Sequence, residues 1–362
     1  MFRIEMLPAE QGDALFIEYG SASSPHRVLI DAGVRKTSGL VSARIGELPA
    51  SKRHFDLLIV THVDSDHIGG IPKLLADTSL GVTFDDVWFN GWRHLQPDRL
   101  GPVEGEIFSA QLDKREWNWN SAFDEKAVVV RPQGRLPKRE LPGGMTLTLL
   151  SPTRHRLEVL RDEWKKVVEE AGLEAGVQDE NLEEAARRRG VPDLLGDRLD
   201  VEELADVPLL PDKAPANGST IAVLAEYGEG NDRRSCLLTG DAHPDVFEEG
   251  LKRLCKDRRV DRIAVNALKV PHHGSRFNVS KAALDLIETD RYLFSTNGTS
   301  THHPHLEGVA RTIARGGEPT LYFNYKVETT APWDDRRLQR RSGFKYTPVY
   351  PDAGTNGLTV DL

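Results

Sequence analysis

Residues 61–70 read Thr61-His62-Val63-Asp64-Ser65-Asp66-His67-Ile68-Gly69-Gly70, directly after the apolar run Leu57-Leu58-Ile59-Val60. Four potential ligands, His62, Asp64, Asp66 and His67, therefore share six consecutive positions. Neutral imidazole and carboxylate are the donors that first-row divalent ions take. Packing them onto one strand-to-helix turn is costly to desolvate unless a cation lies between them. The chain must then supply a buried strand that ends in a rigid turn, with a helix behind it. A polar surface turn is the alternative, and two downstream clusters argue against it.

Asp241 follows the apolar stretch Ser235-Cys236-Leu237-Leu238 and stands behind Gly240. His272 and His273 follow a second apolar stretch, residues 263–270, and Gly274-Ser275 turns the chain away. His302, His303 and His305 surround Pro304 after Tyr292-Leu293-Phe294. Seven of the twelve histidines lie in these clusters and the opening motif. Strand ends hold side chains rigidly while loops leave coordination positions open, which is what a metal site needs. His26, His54 and His94 read as surface or packing residues.

The remaining pattern is layered α/β. Strands are expected at 14–19, 27–30, 56–60, 86–89, 145–150, 219–226, 235–238, 263–270 and 292–294, and Met1 to Leu7 alternates like another. Helices are expected at 68–75 and around 280–288. Residues 90–140 carry no assignable pattern. Residues 154–206 are helical: Leu157, Val159, Leu160, Trp164, Val167 and Val168 recur among charges at helical spacing. The run from Glu183 to Arg189 reads as a solvated helical face. Residues 325–362, with Asp334-Asp335-Arg336-Arg337 and Arg340-Arg341, read as a tail, an extra strand or an interface.

The net charge of −9 argues against a protein that coats nucleic acid non-specifically. It does not exclude a nucleic acid substrate, because bound cations neutralise acidic ligands. Cys236 and Cys255 suggest neither a disulfide framework nor a thiolate metal site. No secretory leader is apparent, and no stretch approaches the roughly twenty apolar residues that span a bilayer. A cytoplasmic location without membrane contact is the expectation.

Taken together, Gln11-Gly12-Asp13-Ala14, Leu29-Ile30-Asp31-Ala32-Gly33, the 61–70 motif, Leu238-Thr239-Gly240-Asp241 and Val270-Pro271-His272-His273-Gly274-Ser275 resemble the metallo-β-lactamase fold superfamily. More narrowly they resemble the branch containing the extracellular domain of the competence DNA-uptake channel and its stand-alone relatives. His302-His303-Pro304 is similar to a Gly-His-Pro element of that domain. The resemblance covers about residues 1–90 and 215–310. It implies a four-layer αββα sandwich: a hydrolase domain over 1–330 with a helical insertion at about 153–215, and a C-terminal extension over 331–362.

The resemblance also implies two divalent ions, Mn²⁺, Zn²⁺ or Mg²⁺. His62 and Asp64 would hold the first, Asp66 and His67 the second, and Asp241 would bridge them. One of His272 and His273 would complete the second site, the choice being open, and Asp31 would fix the loop. Two departures stand out. Asp64 occupies a position where the superfamily usually has His, a change the competence branch shares. A further histidine ligand, expected just before the strand near Ser219, has no equivalent, so His155, Asn217 or water would complete the first site. Such oxygen-rich ligation shifts preference toward Mn²⁺ or Mg²⁺.

Two cations roughly 3.5–4 Å apart would share and activate a bridging hydroxide. Asp66 could orient it, and His303 could bind a phosphate oxygen or protonate a leaving group. The expected activity is that of a phosphodiesterase, a nuclease acting on nucleic acid. The alternatives are a hydrolase of small phosphodiesters of the phosphocholine or cyclic-nucleotide type, and a partner-binding subunit of a defence complex with structural metals. The insertion or the C-terminal extension would serve such a partner.

Overall fold

Near-continuous apolar runs, rather than alternating ones, mark strands buried on both faces. The computed structural model describes residues 1–95, 103–115, 117–170, 199–299, 301–315 and 317–362, apart from the side chains of 92, 103 and 163–170, and gives the runs that setting. The first sheet is built from β1 (Phe2–Met6), β2 (Leu15–Ser21), β3 (Ser24–Ile30), β4 (His54–Ile59) and β5 (Thr83–Trp88). The second is built from β6 (Lys138–Glu140), β7 (Thr146–Ser151), β8 (Ala222–Tyr227) and β9 (Arg234–Leu238), and then from parallel strands. Of these, β10 (Ile263–Ala264) and β12 (Ile287–Glu288) pair only with each other. The others are β11 (Ala267–Lys269), β13 (Arg291–Phe294), β14 (Thr320–Phe323) and β15 (Thr347–Val349). Finally, β16 (Leu358–Asp361) returns to the first sheet beside β1.

Leu15, Ile17, Val28, Ile30, Leu57 and Ile59 face the second sheet, in one cluster with Leu147, Leu149, Val223 and Leu238. Phe16, Leu29, Leu58 and Val60 face the other way. They meet α1 (Ser38–Gly46), α2 (Ser65–Ile68), α3 (Ile71–Ala76) and, after the short α4 (Trp92–Leu95), α5 (Val103–Arg115). On the far side of the second sheet, beyond α6 (Arg154–Glu170), α7 (Val201–Asp206) and α8 (Pro215–Gly218), lie α9 (Pro244–Arg258), α10 (Lys281–Asp285) and α11 (Leu306–Arg315). A last helix, α12 (Arg336–Ser342), adds Leu338 to the same core. Two sheets face to face between two helical layers form the αββα sandwich expected.

The differences from expectation are local and have physical causes. The helix at 68–75 is split into α2 and α3, because the Gly70 N–H leaves the helix to donate to the Gly33 carbonyl oxygen at 2.9 Å, at a point where a Cβ would overlap the Ala32 carbonyl oxygen. The single strand expected over 263–270 is two. Asn266 breaks it, its side-chain oxygen accepting from the Ser235 N–H at 2.8 Å, so β10 joins a separate pair while β11 stays between β9 and β13. The helix around 280–288 ends at Asp285, freeing Ile287 to pair with Ile263. Of the three readings of residues 325–362 the strand is realised, twice, since β15 and β16 extend one edge of each sheet. The Glu183–Arg189 run lies outside the described residues. Among the described residues, no helix is long and apolar enough to cross a membrane.

Candidate metal centre

Side chains at the carboxyl ends of parallel strands converge on one crevice. Here β4, β9, β11 and β13 end together and deliver His62 to His67, Asp241, His272 with His273, and Ser295. Asp31, one residue past β3, is fully buried and organises the first group. Its carboxylate accepts from the Thr61 N–H at 2.8 Å, from the Thr61 hydroxyl at 2.7 Å and from His67 Nδ1 at 2.8 Å. With its own proton committed to Asp31, the Thr61 oxygen accepts from His62 Nδ1 at 3.0 Å.

The second histidine pair is held the same way. His273 Nδ1 donates to the Ser295 carbonyl oxygen at 2.7 Å, and His272 Nδ1 faces the Asn278 side-chain oxygen at 2.9 Å. All four rings therefore spend Nδ1–H on an acceptor, which assigns the lone pair to Nε2 in each. All four Nε2 atoms surround Asp241. Oδ1 lies 3.3 Å from His67 and 3.6 Å from His273, while Oδ2 lies 3.3 Å from His272 and 3.9 Å from His62. The Nε2 atoms of His67 and His273 stand only 3.2 Å apart. Asp66 reaches His273 at 3.7 Å and Asp64 reaches His62 at 3.5 Å, both carboxylates on the open side.

Such a constellation demands positive charge. His62 Nε2 and Asp241 Oδ1 are buried without a hydrogen-bond partner. Burial would raise the Asp241 carboxyl, but the rings of His272, His67 and His273 outweigh it and hold the group well below the usual carboxylate range. Burial likewise disfavours charge on His272, yet Asp241 and Asp212 outweigh it and push that ring up to about 9. Protons on adjacent rings repel one another, whereas a metal ion satisfies several lone pairs at once. The donor set fits divalent cations. His62, His67 and Asp241 form one group whose ligand atoms lie within 4.8 Å of one another, and Asp66, His67 and His273 form another.

Both members of the 272–273 pair thus reach Asp241, on different oxygens. They can because His272 and His273 adopt left-handed backbone, φ 46° and 53°, at a cost of about 1–2 kcal/mol each. In a strand, neighbouring side chains point to opposite faces. His303 is buried, its ring 4.8 Å from that of His272, with Nδ1 3.1 Å from the Thr301 hydroxyl. His155 is 77% exposed on α6, beside Glu158 and away from the centre. Asn217 is buried but donates to Asp212 at 2.7 Å, so it braces the carboxylate behind His272. His94 packs edge-on against Trp119 at 4.7 Å, consistent with a packing residue.

Three supporting residues carry no role in the sequence reading. Asp13 and Lys269 form a buried ion pair of 2.7 Å beneath His273, whose Nδ1 is 3.4 Å from Asp13. Lys269 interrupts the apolar stretch Ala267-Leu268-Lys269-Val270, and a buried charge requires a partner, so this signal was visible. Asp212, 3.5 Å from His272 Nδ1, also accepts from Asn278 at 3.0 Å. It lies between Pro211 and Lys213 in an irregular segment, and no periodicity marks it.

Residues 8–115 match the family model described as the metallo-beta-lactamase superfamily. The chain has the metallo-β-lactamase fold. It is 28% identical to ComE operon protein 3 of Bacillus subtilis (strain 168) over 176 residues, which covers 45% of this chain and only 21% of that protein. Among solved structures it is similar to the metallo-beta-lactamase fold protein YhfI from Bacillus subtilis, with 13% identity, 99% and 98% of the two chains covered, and a TM-score of 0.41. Rm3 metallo-beta-lactamase aligns with 10% identity, 74% and 76% coverage, and a TM-score of 0.29. The candidate metal ligands of this chain lie at the strand ends described.

Proposed function

We propose that this chain is a dinuclear metal-dependent phosphodiesterase that cleaves nucleic acid. The observation that carries the reading is the division of Asp241. Oδ2, with His62, Asp64 and His272, would hold one ion, and Oδ1, with Asp66, His67 and His273, the other. His272 then stands where only His155, Asn217 or water was foreseen. Divalent cations bound there supply an activated water and polarise a phosphoryl oxygen. The protein's own residues hold that chemistry in register. Asp31, Thr61, Asn278 and Ser295 fix the four tautomers, and Asp64 and Asp66 face incoming substrate. Thr301 engages His303 Nδ1, leaving Nε2 to donate to a phosphoryl oxygen. With His272 in the first group, each ion would have two imidazoles and two carboxylate oxygens, a mixed set that suits Zn²⁺ or Mn²⁺ rather than the oxygen-rich one expected, and the resemblance to the DNA-uptake branch supports nucleic acid as substrate.

The test is the metal content of protein purified without added metal, followed by turnover with Mn²⁺, Mg²⁺ or Zn²⁺. Substrates are single- and double-stranded DNA, RNA and bis-p-nitrophenyl phosphate. Metal-dependent cleavage of polymer is the expected result. Turnover of the small ester alone would move the assignment to small phosphodiesters, and bound metal without turnover to a partner-binding role with structural metals.

The split of ligands makes its own prediction. Asp212→Asn removes the charge behind His272 and should weaken one of two metal equivalents about 10–100-fold, as loss of outer-shell partners does, leaving the other unchanged. Titration of the metal-free variant with Co²⁺, followed by its visible absorption, reads both equivalents. Two unaltered equivalents would remove His272 from the ligand set.

A further inference from the structure

A chain of net charge −9 has acids enough to disperse its cations, so a local excess of cations calls for a reason. One such excess borders a groove of about 360 Å³. Among the described residues, Lys126, Arg131, Arg135, Arg139 and Arg154 line it against a single carboxylate, Asp124. All but Arg139 are exposed. Arg139 and Arg154 hydrogen-bond backbone carbonyls of Ala122, Lys138 and His94, which leaves their charge uncompensated by these contacts.

The groove adjoins the metal turn. Its apolar floor, Ala127 and Val129, packs in one small cluster with Val63, the residue between His62 and Asp64. The wall is fixed at two strand ends. Val128 exchanges hydrogen bonds of 2.9 and 2.8 Å with the Asn90 side chain just past β5, and Val130 donates to the Pro152 carbonyl just past β7 at 2.8 Å. Because β5 runs parallel to β4, its end lies on the edge that carries the metal turn.

We propose that this groove is the track along which the phosphodiester backbone of a nucleic acid strand enters the dinuclear centre, an inference that rests on the phosphodiesterase reading above. Four of the five cations are arginines, whose planar fork matches phosphate oxygens in pairs. Among the described residues the one aromatic ring that lines the groove is Phe123, which is buried with the Arg139 guanidinium 4.5 Å from its centre and offers bases no stacking platform. Contacts to phosphates without base stacking position a strand without reading its sequence. The groove therefore selects a polyanionic strand of any sequence and gives a small phosphodiester nothing beyond the metal centre itself.

Binding of a labelled phosphorothioate strand of about 20 nucleotides, long enough to exceed a single-strand site of ~4–16 nucleotides, tests this by fluorescence anisotropy across a salt series. The linkages stay charged but are cut slowly. Arg131→Glu/Arg135→Glu should weaken binding at least tenfold and lower the slope of log K against log salt by about 1.4, two contacts at ~0.7 each. Arg336→Glu/Arg337→Glu, the same charge change on α12, is the control and should alter neither. Arg131→Gln/Arg135→Gln, with metal content and urea midpoint measured for every variant, separates lost contact from lost fold. Unchanged affinity and slope in the groove variants would overturn the proposal, as would an equal loss in the control. So would poly-glutamate that binds as tightly as the strand and is lost to the same degree. Wild-type metal-dependent cleavage of the unmodified strand is read separately. Its absence beside intact, groove-dependent strand binding would sink the phosphodiesterase reading and leave the track standing.

Discussion

Asp241→Ala should lose bound metal and turnover together while keeping the fold. Asp241 is buried, and its two oxygens are the common neighbours of four histidine Nε2 atoms. Removing it leaves both groups of ligands without the carboxylate that joins them. Loss of the several kcal/mol of charge stabilisation that such cations supply corresponds to about 10³-fold or more in turnover. Stability should change little, because Oδ1 has no hydrogen-bond partner and the contact made by Asn278 is to the Asp241 backbone carbonyl. An alanine there also removes a desolvated anion, which offsets lost packing. Metal content by mass spectrometry, turnover and a urea titration read the three quantities. Full activity in the variant would refute the bridging role, and collapse of the fold would make Asp241 structural.

Lys269→Met should be the most damaging single change to stability. Lys269 and Asp13 are both fully buried and 2.7 Å apart. Burial alone would raise the Asp13 carboxyl, but the Lys269 ammonium and the His273 ring outweigh it, so the group stays anionic. Truncating one partner of such a pair strands the other charge, at a cost of about 3–5 kcal/mol. Adding Asp13→Asn to Lys269→Met removes the stranded charge and should recover most of that loss. Urea midpoints of the two single variants and the double variant form the cycle. Additive losses would mean that the two residues act independently. The single variant should also bind metal more weakly, since Asp13 lies against the Nδ1 side of His273.

The local chemistry was legible because it is written in contiguous residues. The 61–70 motif announces a strand end with candidate ligands, and β4 ends at Ile59 with α2 beginning at Ser65. Double-sided burial explains why Leu29 and Ile30, or Leu58 and Ile59, read as runs while serving different layers. Boundaries failed where a side chain replaced a backbone partner, as Asn266 does. They failed again where a backbone N–H leaves its helix for a neighbouring segment, as at Gly70. The 90–140 stretch resisted assignment because its order comes from distant partners. Asn120, for example, accepts from the Phe89 N–H at 2.9 Å and holds that segment against β5.

The amino-acid sequence by itself determined the fold class, the strand ends that carry the candidate ligands and the kind of donor each offers, because hydrophobic runs and residue types are local properties. Only the tertiary structure decided how those donors are shared. Adjacent residues of a strand point apart, so no spacing argument brings His272 and His273 to one carboxylate. The left-handed turn between Pro271 and Gly274 does. The same holds for Asp212 and Asn217, which reach His272 across 60 and 55 positions of chain, and for the basic groove, whose cations meet only when Arg154 folds beside the 126–139 segment. Contacts between residues far apart in the chain depend on packing of the whole sandwich, and packing is not encoded in any local pattern.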